Sequence, residues 1–146
     1  MKVLLINGPN LNMLGTREPE IYGHDTLFDI VTRVEKRASE LGVEIVPFQS
    51  NHEGAIIDFL QEQKAGASGI IMNLGAFTHY SYALRDAVSD SALPAVEVHI
   101  SNVYAREEFR HKSVTAPVAK GMITGLGWRG YIFALEYLVA LVGPTA

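Results

Sequence analysis

The sequence predicts a doubly wound α/β fold: a five-stranded parallel sheet in the order 2-1-3-4-5, with helices on both faces. Three observations lead there. Continuous apolar stretches fall near residues 2–7, 43–48, 68–73, 95–100 and 120–124, the form of strands buried on both faces. Segments of helical period separate them, and parallel neighbours require such right-handed crossovers. Of the two common strand orders, 2-1-3-4-5 suits a five-stranded chain, and its switch point lies between strands one and three.

Each element follows in turn. The first run, Val3-Leu4-Leu5-Ile6, ends in the polar loop Asn7-Gly8-Pro9-Asn10. The segment from Asn12 to Gly23 is polar and aperiodic, contains Gly15, Pro19 and Gly23, and is much longer than the usual ~2–6 residues of such a connection. Beside a ligand crevice a loop of that length reads as a lid, spanning about residues 12–23. Leu27, Ile30, Val31, Val34, Ala38 and Leu41 recur at helical spacing, with Asp25-Thr26 as the start signal and Gly42 as the stop. The next crossovers hold Ala55, Ile56, Phe59 and Leu60, ending near Gly66, and Tyr82, Ala83, Leu84 and Val88, ending before Pro94. Strand three runs Ile70-Ile71-Met72 into Asn73-Leu74-Gly75-Ala76-Phe77-Thr78-His79, and strand four runs Val96-Glu97-Val98-His99 into Ile100-Ser101-Asn102. A helix from about Tyr131 to Val142 closes the chain. In a parallel sheet these polar strand ends share one edge, where open α/β sheets bind ligands, and the loops from Asn7 and Asn73 should face each other across the switch-point crevice.

Composition narrows the function classes. The 146 residues are 48% hydrophobic and 19% charged, enough for one domain over residues 1–146 with its own core. A net charge of −4 without a Lys/Arg-rich run argues against nucleic acid and against a membrane-surface helix. The chain has no cysteine, so it offers neither a disulfide framework nor a thiolate nucleophile. Met1 leads into a run too short for a signal peptide, and no apolar stretch reaches membrane-spanning length. The expected location is the cytoplasm.

Two patterns are set aside. Gly125-Leu126-Gly127-Trp128-Arg129-Gly130 matches G-x-G-x-x-G, but no acidic strand end follows about 20 residues on, so it reads as a tight turn with close helix-to-sheet packing. The histidines at 24, 52, 79, 99 and 111 show no metal-ligand spacing. No cofactor or metal is expected.

Glu97-x-His99 is more informative, because residues two apart on a strand share a face, and Ser101 continues it if the strand persists. A carboxylate on one imidazole nitrogen fixes the tautomer and leaves the other for general acid or base work. The alternative is a buried pair that satisfies only itself; the carboxyl end of a strand favours function. Within the lid, Arg17 and Tyr22 combine a phenol with a cation able to favour its ionised form. The alternative there is an exposed arginine and a packing tyrosine.

Asn7-Gly8-Pro9-Asn10-Leu11, Leu14-Gly15-Thr16-Arg17-Glu18-Pro19 with Tyr22-Gly23, Asn73 through His79, and Glu97 through Asn102 continuing to Arg106-Glu107-Glu108-Phe109-Arg110 together closely resemble the type II 3-dehydroquinate dehydratases. The resemblance runs in order from about Val3 to Gly143. It implies a flavodoxin-like fold and the anti elimination of water from 3-dehydroquinate through an enolate, without metal, cofactor or covalent intermediate. It further implies Tyr22 as the base, assisted by Arg17; Asn10 steadying the enolate oxygen through a water; and His99, held by Glu97, as the acid. Asn73, His79 and Arg110 would contact ring hydroxyls, Ile100 and Ser101 the carboxylate, and Arg106 would be a second lid-associated arginine. Asp86 would reach a neighbouring subunit's site, since the family assembles trimers into a dodecamer. None of Lys2, Lys36, Lys64, Lys112 and Lys120 lies within a site loop, save Lys112 at the margin, which argues against an imine mechanism. The competing class is a binding module for a nucleotide or small anion.

Overall fold

The computed structural model describes residues 1–16 and 18–143. Strands β1 (Lys2–Asn7), β2 (Glu44–Gln49), β3 (Gly69–Asn73), β4 (Ala95–His99) and β5 (Gly121–Thr124) form one parallel sheet in the order β2-β1-β3-β4-β5. Helices α1 (Pro19–Tyr22), α2 (Leu27–Glu40), α3 (Glu53–Gln63), α4 (Tyr82–Ser91) and α5 (Arg129–Val142) supply the remaining regular structure, with short 3₁₀ turns between. Fold class, strand order and the main helices agree with the expectation from the sequence. Helix α2 starts where the sequence places it: Thr26 accepts from the Asp29 amide at 3.1 Å, and the Asp29 carboxylate accepts from the Thr26 amide at 3.0 Å, a reciprocal cap.

Strand alternation divides the core into two faces. Val3, Leu5, Ile71, Val96 and Val98 pack with Ile30, Val34, Tyr131 and Leu135 of α2 and α5. Leu4, Ile6, Ile70, Met72 and Ala95 pack with Ile56, Leu60, Leu84 and Val88 of α3 and α4. The expectation of strands buried on both faces holds for β1, β3 and β4 but not for the outer pair. Strand β2 has no fully buried residue and β5 none either, because each is an edge with a neighbour on one side only; Pro47 in β2 is tolerated for that reason. The 12–23 segment also carries more order than an aperiodic loop. Leu11 and Leu14 are buried, a 3₁₀ turn spans Leu11–Met13, and Pro19 at the first helical position starts α1.

At the switch point the loops after β1 and β3 touch. The Gly8 amide donates to the Asn73 carbonyl at 2.8 Å, and a Cβ on residue 8 would lie 2.5 Å from the Leu74 carbonyl oxygen. Only glycine permits this approach. Gly8→Ala is expected to cost about 1–3 kcal/mol of stability through forced overpacking, read as a lower urea midpoint at unchanged slope; an unchanged midpoint would show that the loops part freely. The glycine-rich turn behaves as the sequence suggests. Gly125 and Gly127 have φ of 88° and 62°, and a Cβ at Gly130 would meet Ile123 and Val98 at 3.2 Å, so the pattern serves a turn and helix-to-sheet packing.

Candidate active site

The C-terminal ends of β1, β3 and β4 open onto a narrow crevice of about 60 Å³, lined by Asn10, Tyr22, Asn73, His79, His99, Ile100, Ser101, Arg106 and Arg110 among others. Tyr22, Ile100, Ser101 and Arg106 also line an adjoining chamber of about 470 Å³ that reaches Asp25 and Trp128.

Glu97 and His99 share the α3/α4 face of β4. The His99 ring donates from Nε2 to Glu97 Oε2 at 2.8 Å, so in the neutral ring Nδ1 is the nitrogen left as acceptor. The other carboxylate oxygen accepts from Ser113 Oγ at 2.9 Å and from Thr115 Oγ1. Burial works to raise the Glu97 carboxyl, yet these donors, His99 foremost, hold it below the usual carboxylate range. Its acidic form is thus disfavoured in the folded state. The sign follows: the stabilisation is complete above the ordinary carboxylate value and is lost as pH falls through the lower folded value. The stability gap between the native protein and Glu97→Gln should therefore shrink as pH falls below about 5. Urea unfolding across that range is the check, and a gap independent of pH would contradict an ionised Glu97.

His79 lies across from His99, the two rings nearly parallel with centroids 6.4 Å apart. Its Nδ1 meets the Lys112 carbonyl at 2.8 Å, which can only accept, so Nδ1 carries the proton. Burial pushes the His79 imidazole below its ordinary value, against the pull of that carbonyl and with help from His99 and Arg110. The neutral ring this favours leaves Nε2 as an acceptor.

Arg106 bridges the lid to β4's loop. One guanidinium nitrogen, Nη1, lies 2.8 Å from the Tyr22 phenol oxygen and 3.2 Å from Ser101 Oγ, and the group stands 5.2 Å from the Tyr22 ring centre, within cation–π range. Tyr22 ends α1, where Gly23 at φ 84° turns the chain away. Asn10 adopts a left-handed φ of 69°, a conformation asparagine tolerates, and its amide donates to Asn51 Oδ1 at 2.9 Å. Arg110 pairs with Glu107 at 2.9 Å.

The structure thus brings Asn10, Tyr22, Asn73, His79, His99, Ile100, Ser101, Arg106 and Arg110 to one crevice, with Glu97 directly behind His99. Asp86 stands apart, exposed on α4 and absent from the lining. Arg17 lies outside the described residues. Sequence reasoning missed Ser113, Thr115 and Asn51, whose partners are 16, 18 and 41 positions away. No local pattern marks a hydroxyl or amide as the anchor of so distant a group. Among the described residues no cluster of three metal-ligating side chains occurs.

The model of the family described as "Dehydroquinase class II" matches residues 1–139. The chain belongs to the class II dehydroquinase family. Its relatives include the 3-dehydroquinate dehydratase of Roseiflexus castenholzii, 59% identical over 98% of this chain and 91% of the relative. That of Bacillus subtilis is 57% identical over 96% and 95% respectively. The crystal structure of the type II dehydroquinase from Butyrivibrio crossotus superposes with a TM-score of 0.93 at 52% identity, covering 94% of this chain and 97% of the other. Family and flavodoxin-like fold are those the motifs imply. Among the described residues of this class II dehydroquinase, no helix is long and apolar enough to cross a membrane.

Proposed function

We propose that the chain is a type II 3-dehydroquinate dehydratase, a hydro-lyase of the shikimate pathway of aromatic amino acid biosynthesis. The observation that carries this reading is the convergence on one crevice of an imidazole backed by a buried carboxylate and a phenol met by a guanidinium. A proton beside a ketone is weakly acidic, so the reaction needs a base, a stabilised enolate and a separate acid for the departing hydroxyl.

In this mechanism the ionised Tyr22 takes the proton next to the ketone, and the C–H electrons pass to the carbonyl oxygen as an enolate. Asn10 steadies that oxygen through a water. The enolate then collapses as the carbon–oxygen bond opposite breaks, His99 in its imidazolium form gives its Nδ1 proton to the leaving hydroxyl while its Nε2–H stays hydrogen-bonded to Glu97, and water departs from a conjugated enone. Glu97 keeps His99 oriented. The Arg106 guanidinium donates to the Tyr22 oxygen at 2.8 Å, and Arg17, from the lid, adds a second cation. Ile100 and Ser101 receive the substrate carboxylate on amide and hydroxyl; Asn73, His79 and Arg110 hold the ring hydroxyls. Residues 1–146 act as one catalytic domain in the cytoplasm, with 12–23 as its lid. The protein assembles from trimers into a dodecamer, in which Asp86 completes a neighbour's site. The reaction requires no metal, cofactor, nucleic acid or membrane.

The test is to mix the protein with 3-dehydroquinate and follow the near-ultraviolet absorbance of the enone, with a borohydride-treated sample alongside. A rise that survives borohydride is the expected result. No rise from folded protein would overturn the reading and favour a binding module; a rise abolished by borohydride would replace the enolate route with an imine.

A further inference from the structure

We propose that Tyr131 is a positioning residue for this reaction: its buried hydroxyl anchors the nitrogen end of the Asn73 amide, whose direction the Gly75 amide sets, and so holds the second Nδ2 hydrogen toward the crevice. The inference rests on the reading of Asn73 as a substrate contact.

The argument starts from register. Asn7 and Asn73 are paired neighbours at the ends of β1 and β3, and strand alternation puts both on the face covered by α5. Tyr131 projects from the first turn of α5 and is completely buried. Its hydroxyl donates to Asn7 Oδ1 at 2.6 Å and accepts from Asn73 Nδ2 at 2.9 Å. Asn73 Oδ1 in turn accepts from the Gly75 amide at 3.2 Å.

The direction of this chain is set by one group that has no choice. A backbone N–H can only donate, so the oxygen of the Asn73 amide must face Gly75 and its nitrogen must face Tyr131. The phenol oxygen then accepts from Asn73 and must send its own proton to Asn7. Burial pushes the Tyr131 phenol up, which favours keeping that proton on the phenol. Asn73 reaches the crevice as a donor, with one Nδ2 hydrogen uncommitted among the described residues. Without the phenol oxygen, the nitrogen end of the amide would lose its buried anchor, and the side chain, held only at its oxygen by Gly75, would no longer keep its second hydrogen in one place. Tyr131 itself is absent from the crevice lining, so it acts through Asn73.

Four proteins test this: wild type, Tyr131→Phe, Asn73→Ala and the double variant, each assayed with 3-dehydroquinate. Tyr131→Phe is expected to raise KM about tenfold with kcat changed less than about threefold, the pattern of lost substrate binding. In the Asn73→Ala background the same change should alter KM less than about twofold, because the group it positions is gone. An equal effect in both backgrounds, or none in either, would overturn the proposal. Should Tyr131→Phe fail to fold, Asn7→Ala removes the acceptor of the phenol proton instead, with an expected rise in KM of about threefold, again absent in the Asn73→Ala background. Should the wild type itself not turn over 3-dehydroquinate, the activity reading fails on its own. The positioning claim is then read from the Asn73 side-chain amide by NMR: faster rotation in Tyr131→Phe supports it, and unchanged rotation overturns it.

Discussion

Replacing Tyr22 with phenylalanine is expected to lower kcat by at least about 10²-fold while leaving substrate affinity nearly unchanged. The substitution removes one oxygen and keeps the ring over which Arg106 stands at 5.2 Å, so the contact that ties α1 to the loop after β4 survives. What is lost is the atom that would accept the proton. Calorimetric titration of the inactive variant with 3-dehydroquinate should give an affinity close to the wild-type KM, and its absorbance assay should be flat. Near-normal turnover would remove Tyr22 as the base and return it to a packing role.

His99→Ala carries an effect of similar size, at least about 10²-fold in kcat, but of a different kind. In the proposed mechanism, which runs through an enolate, proton removal and loss of the hydroxyl are separable events assigned to different side chains. In heavy water His99→Ala should still exchange the proton beside the ketone, whereas Tyr22→Phe should exchange nothing. Equal loss of exchange in both variants would mean that His99 is not specific to the second step. The substitution also leaves the Glu97 carboxylate, completely buried, with Ser113 and Thr115 as its hydrogen-bond donors. Denaturation measurements on the same sample therefore separate a folding defect from a chemical one. Asn in place of His99 keeps a donor within reach of Glu97 but has no acidic proton to give the leaving hydroxyl, so it should be as inactive as alanine with less loss of stability.

The two variants bear on a division already visible in the architecture. Glu97 and His99 stand on the α3/α4 face of β4, whereas Asn7 and Asn73 stand on the α2/α5 face of β1 and β3. The crevice lies past the strand ends, where groups from both faces meet. This is why one sheet can bring a phenol, an imidazole paired with a carboxylate and a side-chain amide into a single small site.

Much of this was determined locally in the sequence. Strand positions, crossovers and helix starts follow from apolar periodicity, the Thr26 cap and the glycine turns, since hydrophobic spacing and backbone conformation act over a few neighbouring residues, and the strand order then follows from the choice between two common doubly wound orders. The Glu97-His99 contact was legible for the same reason, because a period of two places both side chains on one face. Four motifs in one order likewise pointed to the family. Only the tertiary structure decided the long-range partnerships. Tyr22 meets Arg106 across 84 positions, Asn73 meets Tyr131 across 58, and Asn7 meets Tyr131 across 124. Those contacts depend on how helices dock on a twisted sheet and on which atoms are then left needing a partner, and a buried polar group finds its partner in space, without regard to the distance along the chain.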